Sequence, residues 1–230
     1  MPHRPKLSLI IFDCDGVLID SEIISARMLV TELAKLGVAI DLDYVARNFL
    51  GRSYPTVMQQ IRTEFGLSLP DSFEEDYRES LLAAFRRDLK VVPHVHDVLQ
   101  SLAVPFCVAT SSSPRRAAMS LELVGLSELV GERLFTSTMV ARGKPAPDLF
   151  LLAAEKMGAA PEETLVIEDS LTGIRAGLAA GMTVWRFVGG SHLGEATPDE
   201  PEDARPHRRL VSFDSFFQIA AELHKGAPIP

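Results

Sequence analysis

Residues 7–16 read LSLIIFDCDG, a short apolar run that ends on two acidic residues and a glycine. The run is rich in branched side chains and too short for a typical helix, so it predicts a buried β-strand. Similar runs recur at 105–109, 165–167 and 183–188, and helical patterns lie between them at 114–124, 148–157 and 170–180. Because strands alternate with helices, we predict an α/β fold with a parallel sheet and helices on both faces.

A stretch from residue 21 to residue 88 interrupts this alternation, because it shows helical patterns only. We therefore predict a Rossmann-like core domain formed by residues 1–20 and 89–230, with a helical cap domain at 21–88 inserted after the first strand. The local signals in the insertion are helix limits at Asp41 and Gly51, a helix cap at Ser53, and a last helix at 73–87.

Three further local patterns concern the core. The stretch 189–206 is polar and rich in glycine, proline and acidic residues, so it predicts an exposed loop. Residues 214–224 predict a last helix. Pro93 predicts the start of a helix that carries His94 and His96 on different faces, which argues against a metal-binding pair.

Composition restricts the function. The chain is 47% hydrophobic and 23% charged, which is typical of a folded globular protein, and its formal net charge of −8 argues against nucleic-acid binding. No apolar run approaches the ~20 residues that cross a bilayer, and the N-terminus lacks a signal-peptide pattern. The two cysteines, Cys14 and Cys107, lie in strand-like contexts and are expected to be buried free thiols. We expect a cytoplasmic monomer with a small-molecule ligand.

Acidic residues follow two of the predicted strands. Asp13 and Asp15 follow the first strand, and Glu168 and Asp169 follow the strand at 165–167. Ligands of open α/β sheets bind at this edge, the carboxyl ends of the strands. Each pair alone has a simpler interpretation, as turn acids or a helix cap. Neighbouring carboxylates nevertheless repel each other unless a cation or a shared proton compensates them, and such oxygen ligands suit Mg²⁺.

Two other segments suit an anion. The segment that ends the second strand offers the Thr110 hydroxyl and the Ser111 N–H, and Ser113 before a proline has the chemistry of a helix start, where free N–H groups bind anions. Lys144 is held extended by Pro145 ahead of a helix and can neutralise a phosphate. Four acids, a hydroxyl and a lysine at one sheet edge are the groups that phosphoryl transfer needs.

These segments resemble the four motifs of the haloacid dehalogenase superfamily, in the branch of phosphatases and β-phosphoglucomutase-like enzymes with a small helical cap. The matching segments, in order, are FDCDGVLIDSE at 12–22, VATSSS at 108–113, GKPAPD at 143–148 and EDSLTGIRAGLAAGM at 168–182. The likeness covers nearly the whole chain. It implies a phosphatase whose cap is inserted after the first motif.

The resemblance also implies roles for individual residues. Asp13 would be the nucleophile that forms an aspartyl-phosphate, and Asp15 would protonate the leaving oxygen and then activate water. Thr110 and the Ser111 N–H would hold the phosphoryl oxygens, and Lys144 would balance charge.

The cofactor implied by the resemblance is Mg²⁺. It would be held by Asp13, the backbone carbonyl of Asp15 and Asp169, with Glu168 close enough to assist. Because Asp15 must carry a proton to act as an acid, we expect neighbouring carboxylates to raise its pKa.

Four alternatives remain beside the phosphatase. A phosphosugar mutase of the same branch has a cap-side histidine ten residues after the acid/base aspartate, and Ser25 stands at that position here. The haloacid dehalogenase reaction is a less favoured hypothesis than the mutase, because enzymes with that activity lack the second aspartate, which is Asp15 here. A phosphorelay receiver is disfavoured by the inserted helices and the Asp-x-Asp arrangement. No motif residue is missing, which disfavours a non-catalytic phosphate-binding protein.

The substrate is expected to be a small phosphorylated metabolite. Arg52, in the segment Gly51–Ser53, corresponds to the cap loop of the family and is the candidate for contacting the polar or anionic end of the substrate. A sugar phosphate or a phosphorylated sugar acid would suit it.

Overall fold

The computed structural model describes residues 6–49, 52, 54–70, 72–193 and 200–226. Its strands are β1 Leu9–Phe12, β2 Phe106–Thr110, β3 Leu134–Thr136, β4 Thr164–Glu168, β5 Thr183–Phe187 and β6 Arg208–Leu210. Within the described residues they form one parallel sheet in the order β3-β2-β1-β4-β5-β6. The predicted α/β class is confirmed.

The first strand lies in the middle of the sheet, between β2 and β4. Phe12 at its end is paired with Val108 of β2 and with Ile167 of β4. The residues that follow β1 therefore lie beside the carboxyl ends of both neighbours. This register brings segments that are far apart in the sequence to one edge.

Both faces of the sheet are covered. Ile10 and Phe12 belong to one buried hydrophobic cluster, whereas Leu9 and Ile11 belong to a second. Successive strand residues point to opposite faces, so a strand buried on both sides has no polar alternation. This explains the continuous apolar run in the sequence. Cys14 and Cys107 are buried free thiols, as predicted.

The helices are α1 Glu22–Lys35, α2 Leu42–Asn48, α3 Tyr54–Phe65, α4 Phe73–Asp88, α5 Val95–Ser101, α6 Pro114–Leu123, α7 Ser127–Val130, α8 Asp148–Met157, α9 Leu171–Ala179 and α10 Phe216–Ile219. Two of them are capped by serine side chains: Ser113 accepts a hydrogen bond from Arg116 N, and Ser170 accepts one from Gly173 N. Across the described ranges, no helix has the length and hydrophobicity needed to span a membrane.

Helices α1 to α4 lie between β1 and α5 in the chain and share a hydrophobic cluster that includes Leu33, Ile61 and Phe85. The predicted cap at Asp41 is present, because its side chain accepts a hydrogen bond from the Tyr44 backbone N–H at 2.7 Å. Gly51 and Ser53, the predicted helix end and helix cap, lie outside the described residues. The division into a core domain and a cap domain stays a prediction.

Two edge strands, β3 and β6, were not predicted. Each has three residues. In β6, Arg208 and Arg209 are exposed, so the segment lacks the apolar run that marks the central strands. It takes its extended conformation from pairing with β5, where Arg208 lies beside Trp185.

The predicted last helix at 214–224 is wrong. The segment forms a 3₁₀ turn at Phe213–Ser215, helix α10, and a second 3₁₀ turn at Ala221–Leu223. The backbone leaves the helical region at Ala220, with φ −142° and ψ 55°. Phe213, Phe216 and Leu223 still belong to the core cluster, although the backbone between them is broken at Ala220.

The histidine segment and the loop also differ from the prediction. Helix α5 begins at Val95 and not at Pro93, because His94 adopts a left-handed conformation with φ 66°. The stretch 189–206 is not simply an exposed loop. The side chain of His192 is buried at its start, and Ala204 is buried near its end.

Candidate active site

Residues from four segments meet at the carboxyl edge of the sheet. Asp13 directly follows β1, Thr110 ends β2, Glu168 ends β4 and Asp169 follows it. Lys144 enters from the segment before α8, and its Nζ lies 2.6 Å from Asp13 Oδ1 and 2.8 Å from Glu168 Oε1. The convergence predicted from the sequence is present.

Lys144 is the buried cation of this cluster, with only 2% of its side chain exposed. Its Nζ also donates to the backbone carbonyl of Ala109 at 3.0 Å. Burial disfavours the ammonium form, but the Asp13 and Glu168 carboxylates outweigh burial and raise the pKa of Lys144. The side chain is therefore a fixed positive charge at the sheet edge.

Three buried carboxylates lie close together: oxygens of Asp13, Glu168 and Asp169 lie within 4.8 Å of one another. Burial, together with repulsion among these acids, raises the pKa of both Asp13 and Asp169, although Lys144 opposes the shift. One ammonium does not balance three carboxylates. A donor set made only of carboxylate oxygens fits a hard divalent cation such as Mg²⁺.

Glu168 is already engaged with the protein on both oxygens. Oε1 accepts from Lys144, and Oε2 accepts from the backbone N–H and the hydroxyl of Ser170. Helix α9 approaches it closely: a Cβ atom at Gly173 would lie 1.7 Å from Glu168 Oε1. Asp13 and Asp169 are therefore the better candidates to contact a cation directly.

The expected rise in the pKa of Asp15 is wrong. Its carboxylate accepts from Ser21 Oγ and Ser112 Oγ, both at 2.6 Å, and from Arg116 Nη2 at 2.8 Å. Burial raises the pKa of Asp15, but the Arg116 charge and the two hydroxyl hydrogen bonds outweigh it and lower the pKa. In this conformation Asp15 is held as a carboxylate.

Arg116, which sequence analysis missed, also contacts the helices between β1 and β2. Its Nη2 lies 3.2 Å from Ser25 Oγ on α1, and its guanidinium carbon lies 5.1 Å from the centre of the Phe85 ring on α4. It stands two residues after Pro114, in the first turn of α6. An arginine in the first turn of a motif-bearing helix is the signal that could have identified it.

The hydroxyl-rich segment after β2 forms another wall of the site. Thr110 Oγ1 accepts a hydrogen bond from the Ser112 backbone N–H at 3.0 Å and lies 3.4 Å from Asp15 Oδ2. The backbone carbonyl of Ser111 accepts from Ser137 Oγ at 3.0 Å. These contacts fix the segment beside the carboxylates.

The site opens into a cavity of about 550 Å³ between the sheet edge and helices α1, α3 and α4. Its walls include Asp13, Thr110, Ser111 and Lys144 on one side and Arg52 on the other. Arg52 Nη1 donates to Gln60 Oε1 at 2.8 Å. The cavity thus connects the sheet-edge residues with the arginine that was predicted to contact substrate.

Glu22 is a second cavity residue that sequence analysis missed. Burial, followed by the nearby Asp15 and Asp169 carboxylates, raises its pKa to about 7. It is the first residue of α1, directly after the first motif. An acidic residue in the first turn of a helix is common, because it interacts favourably with the helix dipole. Its position therefore did not mark Glu22 as a site residue.

Arg186 on β5 contacts the backbone of the acidic segment after β4. The sequence analysis did not identify it. Its Nε donates to the backbone carbonyl of Asp169 at 3.1 Å, and its Nη1 lies 2.8 Å from Glu200 Oε1. Glu200 also binds Arg209 through both oxygens. The arginine within an apolar strand run was the available signal, because a buried charge requires partners.

Comparison with known proteins places these observations in a family. Residues 7–181 match the family model described as haloacid dehalogenase-like hydrolase. The chain is 28% identical over 188 residues to 6-phosphogluconate phosphatase of Escherichia coli (strain K12), covering 81% of this chain and 85% of that protein. It is 32% identical over 178 residues to hexitol phosphatase A of the same organism, covering 76% and 80%.

A solved structure agrees with these matches. The crystal structure of a conserved haloacid dehalogenase-like protein from Agrobacterium tumefaciens superposes with a TM-score of 0.81 at 32% identity. The match covers 94% of this chain and 98% of that one. The similarity therefore extends through the helices between β1 and β2 as well as the sheet.

Proposed function

The chain belongs to the haloacid dehalogenase-like hydrolases and is a phosphatase of that family, and from this premise we propose that it hydrolyses a small phosphorylated metabolite through an aspartyl-phosphate. The observation that carries the proposal is the contact between Lys144 and Asp13 at the end of β1. A nucleophilic carboxylate must face a negatively charged phosphoryl group, and a buried ammonium beside it offsets that repulsion.

The proposed cofactor is Mg²⁺, held by the side chains of Asp13 and Asp169 and by the backbone carbonyl of Asp15. Carboxylate oxygens of Asp13 and Asp169 lie within 4.8 Å of each other, which supports this assignment. Glu168 assists by holding Lys144 and the Ser170 turn in place. When bound, Mg²⁺ would neutralise charge on the acids and on the phosphoryl oxygens.

The proposed reaction has two displacements at phosphorus. In the first, an oxygen of Asp13 attacks in line, the bond from phosphorus to the ester oxygen breaks, and Asp15 gives its proton to that oxygen. In the second, Asp15 takes a proton from a water molecule that attacks phosphorus, and the bond to Asp13 breaks to release phosphate. The Thr110 hydroxyl and the Ser111 N–H would donate to the phosphoryl oxygens, and Lys144 would offset their charge.

The ionised state of Asp15 fits the second displacement, in which a carboxylate takes the proton of water. For the first displacement Asp15 must gain a proton and give up its contact with Arg116. Because Arg116 also contacts Ser25 on α1, a shift of the helices relative to the sheet would change both contacts together. The first displacement would therefore require an arrangement in which Arg116 no longer contacts Asp15.

The proposed substrate is a sugar phosphate or a phosphorylated sugar acid. The cavity volume of about 550 Å³ is in the range of small-molecule sites. Arg52 lies across the cavity from the acids and would bind the polar or anionic end of the substrate. The relatives named for 6-phosphogluconate and hexitol phosphatase activity act on compounds of this class, which supports the choice.

A phosphosugar mutase is the second candidate, and the residue at position 25 disfavours it. Mutases of the branch carry a histidine there, whereas this chain has Ser25, which donates to the Ser21 carbonyl and contacts Arg116. A serine does not supply the ionisable group of that histidine.

Phosphate release from a panel of phosphorylated sugars, sugar acids, polyols and an aryl phosphate, measured with Mg²⁺, tests the proposal. We expect release from at least one sugar-derived compound at a higher kcat/KM than from the aryl phosphate. Asp13→Asn should abolish release while leaving the circular dichroism spectrum unchanged. Near-normal release from that folded variant would disprove the assignment of Asp13, and exchange of phosphate between sugar positions without release would favour the mutase.

A further inference from the structure

The side chain of His192, in the segment after β5, lies against the acidic edge of the sheet. Only 4% of it is exposed, and its Nε2 lies 2.9 Å from Asp169 Oδ2. This is hydrogen-bonding distance, although the N–H direction is not aligned, and neither ring nitrogen has an aligned partner within the described ranges. Asp169 is a polar group that the imidazole meets at close range.

Two glycines make room for this contact. A Cβ atom at Gly16 would lie 2.1 Å from Asp169 Oδ2 and 3.0 Å from His192 Cε1. A Cβ atom at Gly190 would lie 2.6 Å from His192 Cε1. A side chain at Gly16 would displace both the carboxylate and the imidazole, and one at Gly190 would displace the imidazole. The backbone is therefore shaped to bring these two groups together.

The segment that carries His192 is anchored to the chain after β1. The backbone N–H and the hydroxyl of Ser191 donate to Asp20 Oδ1 at 3.2 and 2.8 Å. Within the segment, Leu193 N donates to the carbonyl of Gly190 at 3.1 Å. These bonds fix the backbone on both sides of His192, so the ring has a defined position over Asp169.

We propose that His192 is a positioning residue for the cation site: its imidazole, with Nε2 2.9 Å from Asp169 Oδ2, restricts that oxygen, so that the carboxylate presents its other oxygen to Mg²⁺. The inference rests on the proposed function, because it requires Asp169 to be a ligand. Burying an imidazole without a partner is unfavourable, so an apolar side chain would serve better if packing were its only role. Outer partners of metal ligands restrict the orientations of those ligands and so strengthen metal binding.

The test measures the dissociation constant of Mg²⁺ by calorimetry for the full-length protein without substrate. His192→Phe keeps a ring of similar size and removes the nitrogens, whereas His192→Gln keeps an N–H donor at a similar reach. The matched control is His96→Phe, because His96 is a partly buried histidine whose Nε2 lies 3.0 Å from the Val124 carbonyl, away from the acids. Thermal unfolding without Mg²⁺ is measured for each variant.

We expect His192→Phe to weaken Mg²⁺ binding by about 10- to 100-fold, the usual effect of removing such a partner. His192→Gln should stay within about threefold of wild type, the His96→Phe dissociation constant should not change, and the midpoint of unfolding of both His192 variants without Mg²⁺ should match wild type. Wild-type affinity in His192→Phe would overturn the inference. Equal losses in both His192 variants, with lower unfolding midpoints, would also overturn it by indicating packing alone.

Asp169→Asn separates this inference from the proposed function. If Asp169→Asn loses Mg²⁺ binding but His192→Phe keeps it, the cation site stands and only the role of His192 fails. If Asp169→Asn binds Mg²⁺ as tightly as wild type, the cation site itself is wrong and the inference fails with it.

Discussion

Lys144 places a single ammonium group between two buried carboxylates, those of Asp13 and Glu168. Both side chains are at most 9% exposed, so the charge of each carboxylate depends strongly on the lysine and on any bound cation. A charge that is left unpaired in a protein interior is strongly destabilising, whereas an exposed ion pair contributes little. At the scale of single residues, the contact of Lys144 with Asp13 and Glu168 thus both stabilises the fold and positions the groups of the proposed reaction.

Lys144→Met should lower the free energy of unfolding by about 3–5 kcal/mol without Mg²⁺, because it leaves buried carboxylates without their cation. The measurement is urea unfolding at neutral pH. Arg142→Ala is the matched control, because Arg142 is two residues away, exposed, and paired with Asp148 at the surface. It should cost at most about 1 kcal/mol. Similar values for both variants would contradict the role given to Lys144.

Arg52→Ala tests whether this residue selects the substrate. If its guanidinium binds a remote polar or anionic group, kcat/KM for the sugar-derived substrate should fall roughly 10- to 150-fold, the effect of losing a charged hydrogen bond. Hydrolysis of an aryl phosphate, which lacks the remote group, should change little. Arg62→Ala on the exposed surface of α3 should affect neither substrate. Equal losses on both substrates for Arg52→Ala would mean that it supports the site in general.

At the scale of elements, β5 supports the motif that follows β4. The two strands pair in parallel, and Glu168 at the end of β4 lies beside Arg186. Arg186 donates to the Asp169 carbonyl and is itself paired with Glu200, so it ties the segment before β6 to the acidic edge. The position of Asp169 therefore depends on an ion pair that lies outside the four motifs.

Glu200 gives this support a pH dependence. Burial opposes its charge, but hydrogen bonds from Arg209 and Arg186 outweigh burial and lower its pKa from 4.5 to about 2. A lowered pKa means that the stabilisation is fully present above pH 4.5 and is lost as the pH falls toward about 2. Glu200→Gln should therefore be less stable than wild type at pH 6, and the difference should shrink at pH 3. Urea unfolding at both pH values measures this, and a constant difference would contradict it.

At the scale of the whole molecule, the cavity lies between two parts of the chain with separate hydrophobic clusters. The sheet edge provides the acids, and helices α1, α3 and α4 provide the opposite wall. Arg116 of α6 contacts both parts, because it bonds Asp15 and packs on Phe85. A substrate held in the cavity would contact both walls at once.

At the scale of the whole molecule, we expect phosphate release to require a divalent cation. Excess chelator should abolish phosphate release, and Mg²⁺ should restore it, because the acids otherwise repel the phosphoryl group. Ca²⁺ should bind but support little turnover, because its coordination is larger and looser. Mg²⁺ at about 100 times its dissociation constant should also stabilise the fold by about 2.7 kcal/mol. Full activity in chelator would refute the cofactor assignment.

The central strands and the set of residues at their ends follow from local sequence patterns. The apolar runs of β1, β2 and β4 are long enough to be recognised, because strands buried on both faces have no polar interruption. Once those strands are parallel neighbours, their carboxyl ends must share an edge. The sequence alone therefore predicts that Asp13, Thr110 and Asp169 share one site.

The charge state of that site and the residues that support it depend on the folded arrangement of the chain. Arg116 lies 101 positions after Asp15, and no local pattern indicates that it lowers the pKa of this carboxyl. His192 lies in a segment whose polar composition predicts exposure, yet Gly16, which is distant in the sequence, leaves room for it to reach Asp169. Strand β6 likewise exists because β5 offers it hydrogen bonds. A pKa, a buried contact or an edge strand depends on groups brought together from distant positions, whereas periodicity reports only on neighbours along the chain.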